Sequence, residues 1–138
     1  MKKYLLILIF VSVYCGIIFA AEIALPEDVP YYTQTKFSSS IIKKRDKGKI
    51  VGEEKHWYVI SNDSSDAICS FYKIEMQKHE WQIKTDEKLG PIPYTHLVFE
   101  KKKSFLIVFS KTRICEIFLG PFTDKNGNKK TGIDIHIK

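Results

Sequence analysis

The sequence predicts an α+β fold, in which one main helix packs on an antiparallel sheet of about five or six strands. Residues 65–81, SDAICSFYKIEMQKHEW, place apolar side chains at three- and four-residue steps, which is the period of a helix with one buried face. After this segment, short runs of β-forming residues stand between turn residues, as in an antiparallel meander. A helix with one apolar stripe needs a flat apolar partner, and a sheet supplies it.

The chain begins with a segment that is typical of a secretory signal peptide. Its 138 residues suit one domain behind such a segment. Lys2 and Lys3 form a short basic start, and no further charge occurs before Glu22. A basic start, an apolar run and small residues at its end predict a signal peptide over residues 1–20, cleaved after Ala20.

Two alternatives for this segment stay open. The uncharged run over residues 4–21 is just long enough to span a bilayer, so without cleavage it would attach the protein to the membrane. Acylation of Cys15 would instead give a lipoprotein, although the bulky Tyr14 replaces the small residue preferred before such a cysteine. Under each alternative the protein is exported, as a periplasmic, secreted or membrane-anchored protein.

Residues 21–35 are predicted to form an extended lead-in to a single α+β domain over residues 36–138. Pro26 and Pro30 bracket an acidic pair, and proline fixes its own φ and disfavours helix in the residue before it. We expect Val29, or one of the two tyrosines that follow, to be held against the domain.

The predicted domain starts with a strand over residues 36–44, a turn at Gly48 and a second strand that ends near Asn62. The helix then begins with an N-cap among residues 63–65. The side chains predicted to form the core around this helix are Ile68, Phe71, Tyr72, Met76 and Trp81.

The remaining strands are predicted from short apolar runs and the turns between them. Strands are expected over residues 81–85, 95–100, 105–110, 114–120 and 131–138. Loops or turns are expected at residues 86–93, 101–104 and 110–113, and a tight hairpin turn at Asn126-Gly127.

The exported part of the chain keeps two cysteines, Cys69 and Cys115. Export permits oxidation, and a bridge between them would staple the helix to the sheet and add about 2–4 kcal/mol of stability. The other interpretation is two buried thiols that act as small apolar groups. A catalytic thiol is not predicted, because no base is marked beside either cysteine.

The sequence predicts no catalytic, cofactor or metal site. The four histidines follow no zinc-ligand spacing and are expected at the surface or at the border of the core; they are His56, His79, His96 and His136. Residues 124–128, DKNGN, begin like a calcium loop, but Lys129 occupies the place of the required glycine. A hairpin turn is the better interpretation there.

Three segments together resemble a loose group of small exported bacterial proteins and lipoproteins of unknown function. In that group an LPxDVPxY lead-in precedes a strand, and a helix with an FY pair ends in Gly-Trp. The matching segments are ALPEDVPYY (24–32), residues 65–81, and LVFEKKKSFLIVFS (97–110). The chain departs from the pattern at Glu80, which replaces the glycine, and in the charged residues 43–55. The resemblance implies export and the fold described above, and it implies no activity.

The function predicted from these features is a non-enzymatic envelope module that binds a partner. Without Lys2 and Lys3 the chain keeps a moderate excess of basic residues, which favours anionic surfaces. The lysines are scattered, so nucleic acid is not a predicted partner. The expected partner is an envelope protein, peptidoglycan or a lipid surface.

A small secreted enzyme is the alternative prediction. Its site would have to be assembled from scattered residues, with His96 and Glu100, or Cys69 and His79, as the candidate pairs. A pocket that holds a titratable pair with shifted pKa values would favour the enzyme, and shallow clefts would favour the binding module.

Overall fold

The computed structural model describes residues 23–32, 38–105 and 109–138. The predicted signal peptide, its two alternatives and the second part of the predicted lead-in lie outside these residues. In the described part of the chain, no helix has the length and apolarity that crossing a bilayer requires.

One antiparallel sheet of six strands dominates the described residues, and one helix accompanies it, as the sequence predicts. The strands are β1 (Ser38–Asp46), β2 (Lys49–Ser61), β3 (Gln82–Leu89), β4 (Tyr94–Phe105), β5 (Phe109–Thr123) and β6 (Lys129–Ile137), and the helix is α1 (Ser65–Lys78). The strand order is β1-β2-β6-β5-β4-β3. The last strand therefore joins the β1–β2 hairpin to the β3–β5 meander.

The helix α1 begins and ends at residues that explain its bounds. The Ser64 side chain accepts a hydrogen bond from the Ala67 N–H and satisfies one of the free donors of the first turn. After the helix, Glu80 has a φ of +65°, a left-handed conformation that favours glycine. This turn brings the Trp81 N–H to the Met76 carbonyl oxygen, and so places Trp81 beside the core.

One face of the sheet carries the core, because alternate residues of a strand point to the same side. The buried strand residues of this face are Trp57, Val59, Leu97, Phe99, Cys115, Ile117, Leu119, Ile133, Ile135 and Ile137. Ile68, Tyr72 and Met76 of α1 are fully buried in the same cluster, and so is Trp81. Phe71 is only partly buried and lies against its border.

The turns predicted at residues 101–104 and 110–113 are wrong, because β4 and β5 run through both segments. Lys102 pairs with Thr112 in a regular ladder. Of the strand predicted between the two turns, Phe105 belongs to β4 and Phe109 and Ser110 to β5, and residues 106–108 lie outside the described residues. Here β4 and β5 pair only with each other, and the exposed Lys102, Lys103 and Lys111 occupy strand positions rather than turns. The strand β3 also continues to Leu89, into residues 86–93 where a loop was predicted. It lies at the edge of the sheet, where polar residues are tolerated in a strand.

Two ribbons of two strands each extend beyond the body of the sheet at the same end. At this end, the body of the sheet stops at a row of residues paired across β2, β6, β5 and β4. These residues are Lys55, Ile137, Cys115 and Phe99. Beyond it, residues 42–54 form one ribbon, and residues 101–105 and 109–113 form the other. Each ribbon has five basic residues, against three acidic ones in the first and none in the second. We call the two ribbons the basic end of the sheet.

Candidate functional site

The lead-in lies on the core and is held there by two tryptophans. The indole N–H of Trp57 donates to the Ile23 carbonyl oxygen, and that of Trp81 donates to the Asp28 carbonyl oxygen, each at 2.7 Å. Val29 is buried in the core cluster. A buried indole needs a hydrogen-bond acceptor, and the lead-in backbone provides it. The lead-in is therefore part of the folded domain.

Asp28 also ties the lead-in to β4 and β5 by charge. Its Oδ2 lies 2.6 Å from Arg113 Nη1 and 3.1 Å from Lys101 Nζ, and both cations lie over the Trp81 ring. Burial alone would raise the pKa of Asp28, but the hydrogen bonds and charges of Arg113 and Lys101 outweigh it and lower the pKa. These charged groups satisfy one another, as in a structural clamp.

Cys69 and Cys115 are both free thiols, so the bridge that the sequence left open is not formed. Cys115 is fully buried on the core face of β5, whereas Cys69 is half-buried at the border of the helix stripe, near Lys73. The helix points its stripe at the core and Cys69 to the side. Burial raises the pKa of both thiols, which disfavours a nucleophilic thiolate.

We expect the two thiols to differ in reactivity. In a chain that starts at Ala21, iodoacetamide should modify Cys69 slowly, and Cys115 only after unfolding. Mass spectrometry of the digested protein measures both reactions. A chain that stays unmodified in denaturant without a reductant would contain a disulfide, and this result would contradict the structure.

The two pairs considered for an enzyme are not brought together. His96 and Glu100 are four residues apart on β4, about 13 Å along a strand, and Glu100 pairs instead with Lys84. Cys69 and His79 are ten residues apart along α1, about 15 Å along a helix axis.

The outer face of the sheet, opposite the core, carries a row of stacked rings from four neighbouring strands. The His56 and His136 rings have centroids 3.7 Å apart, Phe118 lies 5.1 Å from His136, and His96 stacks on Phe118 at 4.3 Å. We call these four side chains the imidazole row. The three imidazoles are each only 18% exposed, although no second layer of the described chain covers them.

Two tyrosines flank the imidazole row and lie across glycine backbones. A Cβ on Gly132 would meet the Tyr58 hydroxyl at 2.9 Å, and one on Gly120 would overlap the Tyr94 ring. The absence of a side chain at both positions lets the tyrosine rings lie flat on the sheet.

One end of the imidazole row adjoins a buried carboxylate. Glu54 Oε1 lies 3.7 Å from His56 Nε2 and 3.6 Å from His136 Nδ1, and potential ligand atoms of the three residues all lie within 4.8 Å of one another. Asp134 Oδ2 lies 3.0 Å from His136 Nε2, but off the line of a hydrogen bond. Glu54, His56 and His136 are therefore the described residues that could hold a metal ion.

Lysines compensate the charge of Glu54. Burial opposes its ionisation, but Lys44, 3.0 Å from Oε2, together with Lys138 and His56, lowers the pKa of the carboxyl group. Burial and the nearby His136 lower the pKa of His56, so this imidazole is neutral at pH 7. The cluster thus combines a carboxylate with an imidazole that has a free lone pair.

Sequence reasoning missed this cluster, because His56 and His136 are far apart in the chain. Alternation places each of them on the outer face of its own strand. They become neighbours only because β2 pairs with β6 in the register that sets His56 opposite His136. No local spacing signals this contact.

The basic end of the sheet exposes apolar side chains among its charges. Ile42, Ile50 and Val51 of the first ribbon are 47%, 53% and 63% exposed, and Ile41 at its base is 44% exposed. Lys43, Lys44, Lys47, Lys49, Lys102, Lys103 and Lys111 are exposed in the two ribbons. These exposed branched side chains are concentrated in one ribbon and stand on both of its faces, because adjacent residues of a strand point to opposite sides.

Comparison with known proteins adds no constraint: no protein-family model, curated protein or solved structure matches the chain.

Proposed function

We propose that the protein is an exported, non-enzymatic envelope module that docks on an anionic lipid surface through the basic end of its sheet. The helix α1 packs on the core face of the sheet and, with the clamped lead-in, stiffens it as a support for the two ribbons. The resemblance to small exported bacterial proteins supports this localisation, and the left-handed Glu80 stands where their pattern has glycine.

The proposal is carried by the observation that basic residues and exposed apolar side chains lie at the same end of the sheet. Register places both ribbons at one end of the sheet. Apart from Lys101 and Arg113, which pair with Asp28, the ribbons hold eight basic residues and three acidic ones. The four exposed apolar side chains lie at the same end. Lysines near an anionic membrane contribute about 1 kcal/mol each, and apolar side chains among them can enter the headgroup region.

A lipid surface fits this end better than the other partners that the sequence allows. Peptidoglycan has few apolar surfaces with which aliphatic side chains such as Ile50 and Val51 could pack. A protein partner would be favoured by a deep groove at this end of the sheet, whereas three clefts lined by described residues, beside β3, His56 and Pro121, are open to solvent. A basic ribbon with exposed aliphatic side chains suits the boundary between lipid headgroups and acyl chains.

We expect binding to vesicles that contain phosphatidylglycerol and weak binding to vesicles of phosphatidylcholine alone. The chain that starts at Ala21 is used, so that residues 4–21 cannot insert. Lys47→Glu with Lys49→Glu should weaken binding by about 30-fold or more, since two lost attractions of about 1 kcal/mol are replaced by repulsion. Co-sedimentation over a range of lipid concentrations measures the effect.

Matched variants test whether binding depends on where the lysines and apolar residues lie, rather than on how many of them the chain contains. Lys125→Glu with Lys129→Glu makes the same charge change in the hairpin at the opposite end of the sheet and should leave binding nearly unchanged. Ile50→Ser with Val51→Ser should weaken binding, whereas Ile74→Ser with Ile92→Ser, at similarly exposed positions, should not. Equal effects of both charge variants, or binding to isolated peptidoglycan that exceeds binding to vesicles, would overturn the proposal.

Export has its own test. In cells that express the full chain, the protein should occur in the envelope or outside the cell, and mature protein should begin at Ala21. N-terminal sequencing and extraction with and without detergent distinguish cleavage from retention of an anchor. Recovery of the full-length chain in the cytosol would contradict export.

A further inference from the structure

The geometry of the outer face points to a zinc site that goes beyond lipid docking. We propose that Glu54 Oε1, His56 Nε2 and His136 Nδ1 bind a single Zn²⁺, with the fourth position open to water or to a group from a partner. Asp134 acts as a positioning residue on the far nitrogen of His136.

The distances are those of a site that needs little rearrangement. Zinc bonds of about 2.0–2.2 Å in a tetrahedron place neighbouring ligand atoms about 3.3–3.5 Å apart. Glu54 Oε1 is 3.7 Å from His56 Nε2 and 3.6 Å from His136 Nδ1, so small side-chain rotations would close the site. Two imidazoles and one carboxylate form a donor set typical of zinc, with one position left open.

One of the proposed ligand atoms shows unmet bonding capacity. His56 Nε2 is buried and has no hydrogen-bond partner within the described residues. A buried polar atom without a partner is unfavourable, and a bound cation at His56 Nε2 would remove this penalty. His56 also borders a cleft of about 280 Å³ lined by Ser38–Ser40, Tyr58 and Asp134, which gives an ion a route from solvent.

The surrounding residues fit a cation in spite of two nearby ammonium groups. Lys138 Nζ is 3.7 Å from Glu54 Oε1, but its shorter contact, 2.7 Å, is with Glu116. Lys44 lies on Oε2, so the metal would compete at Oε1 only with the longer contact to Lys138. Asp134 Oδ2 lies 3.0 Å from His136 Nε2, so a small rotation would align the hydrogen bond of the carboxylate–histidine–metal arrangement that orients ligating imidazoles.

A simple ion-pair network is the competing explanation, and it makes a different prediction. A network that only neutralises Glu54 needs the lysines, and it does not require two imidazoles with their nitrogens near one carboxylate oxygen. It therefore predicts no selective response to zinc.

The test uses the full chain, purified in mild detergent and treated with a chelator. Titration with Zn²⁺ should show one bound ion per chain and a rise in the unfolding temperature, and Co²⁺ should give the absorption of a tetrahedral site. Mg²⁺ and Ca²⁺, which prefer sites made of oxygen ligands, should produce neither response. Asp134→Asn should weaken zinc binding by about 10–100-fold, the usual range for groups behind a ligand, and His136→Asn should weaken it further.

His96→Gln is the matched control, because His96 lies on the same face, is equally shielded and also has an unpartnered Nε2, but it lies outside the cluster. It should bind zinc like the unaltered chain. Circular dichroism shows whether each variant is folded, and His56→Gln with His136→Gln serves as the variant without the site. Zinc binding that survives this double change, or that is lost equally in His96→Gln, would overturn the proposal. Vesicle binding should not change in the double variant, so the zinc and lipid proposals fail independently.

Discussion

Trp81→Ala is expected to lower the free energy of unfolding by about 3–5 kcal/mol, the range for truncating a large buried aromatic residue. Trp81 is 1% exposed, packs between α1 and the lead-in, and donates its N–H to the Asp28 carbonyl oxygen. Removal of the indole leaves a cavity and deprives the Asp28 carbonyl oxygen of its donor. It also removes the ring over which Lys101 and Arg113 lie. Small domains have about 5–15 kcal/mol in total, so the variant should be marginal. Urea denaturation followed by circular dichroism measures the change.

Two further variants identify the cause. Trp81→Phe keeps much of the volume but removes the donor, so it should lose about 1–3 kcal/mol, the penalty of an unsatisfied buried acceptor. Ile74→Ala changes an exposed apolar residue of α1 and should stay within about 0.5 kcal/mol of the unaltered chain. Equal stability of Trp81→Ala and Ile74→Ala would show that the tryptophan does not hold the lead-in on the core.

The faces of the strands could be predicted from the sequence because they depend on local alternation. Strict alternation over residues 131–138 predicts Ile133, Ile135 and Ile137 on the core face, and all three are buried. Trp57 and Val59 share the buried face of β2, as alternation requires. The helix cap is equally local, since a polar side chain at position 64 needs only the N–H groups of the next turn.

The ends of the ribbons and the cluster of Glu54, His56 and His136 could not be predicted, because both depend on which strands become neighbours. A run of lysines such as residues 101–103 predicts a turn, because the sequence does not show that β4 and β5 pair only with each other there. The partners of the lead-in are similarly remote: Asp28 meets Arg113 across 85 residues of chain. Strand order decides such contacts, and the order β1-β2-β6-β5-β4-β3 follows from no local signal in the sequence.

Asp28→Asn is expected to destabilise the protein at pH 7 by about 1.5–3 kcal/mol, the range for hydrogen bonds to a charged group. The folded-state pKa of Asp28 lies below its ordinary value of 3.8, because Arg113 and Lys101 outweigh the effect of burial. A carboxyl group with a lowered pKa in the folded state stabilises the fold above its unfolded-state pKa. That contribution is lost as the pH falls from about 4 through the lower folded-state value.

The pH dependence distinguishes this charge effect from simple loss of packing. The unaltered chain should lose stability below about pH 4 more steeply than Asp28→Asn, since the variant has no carboxyl group to protonate at this position. The two curves of unfolding free energy against pH should therefore converge in acid. Glu27→Gln is the control, because Glu27 is the exposed neighbour in the same acidic pair, and its stability should stay within about 0.5 kcal/mol of the unaltered chain. Parallel curves for Asp28→Asn and the unaltered chain would mean that the Asp28 charge does not hold the lead-in to β4 and β5.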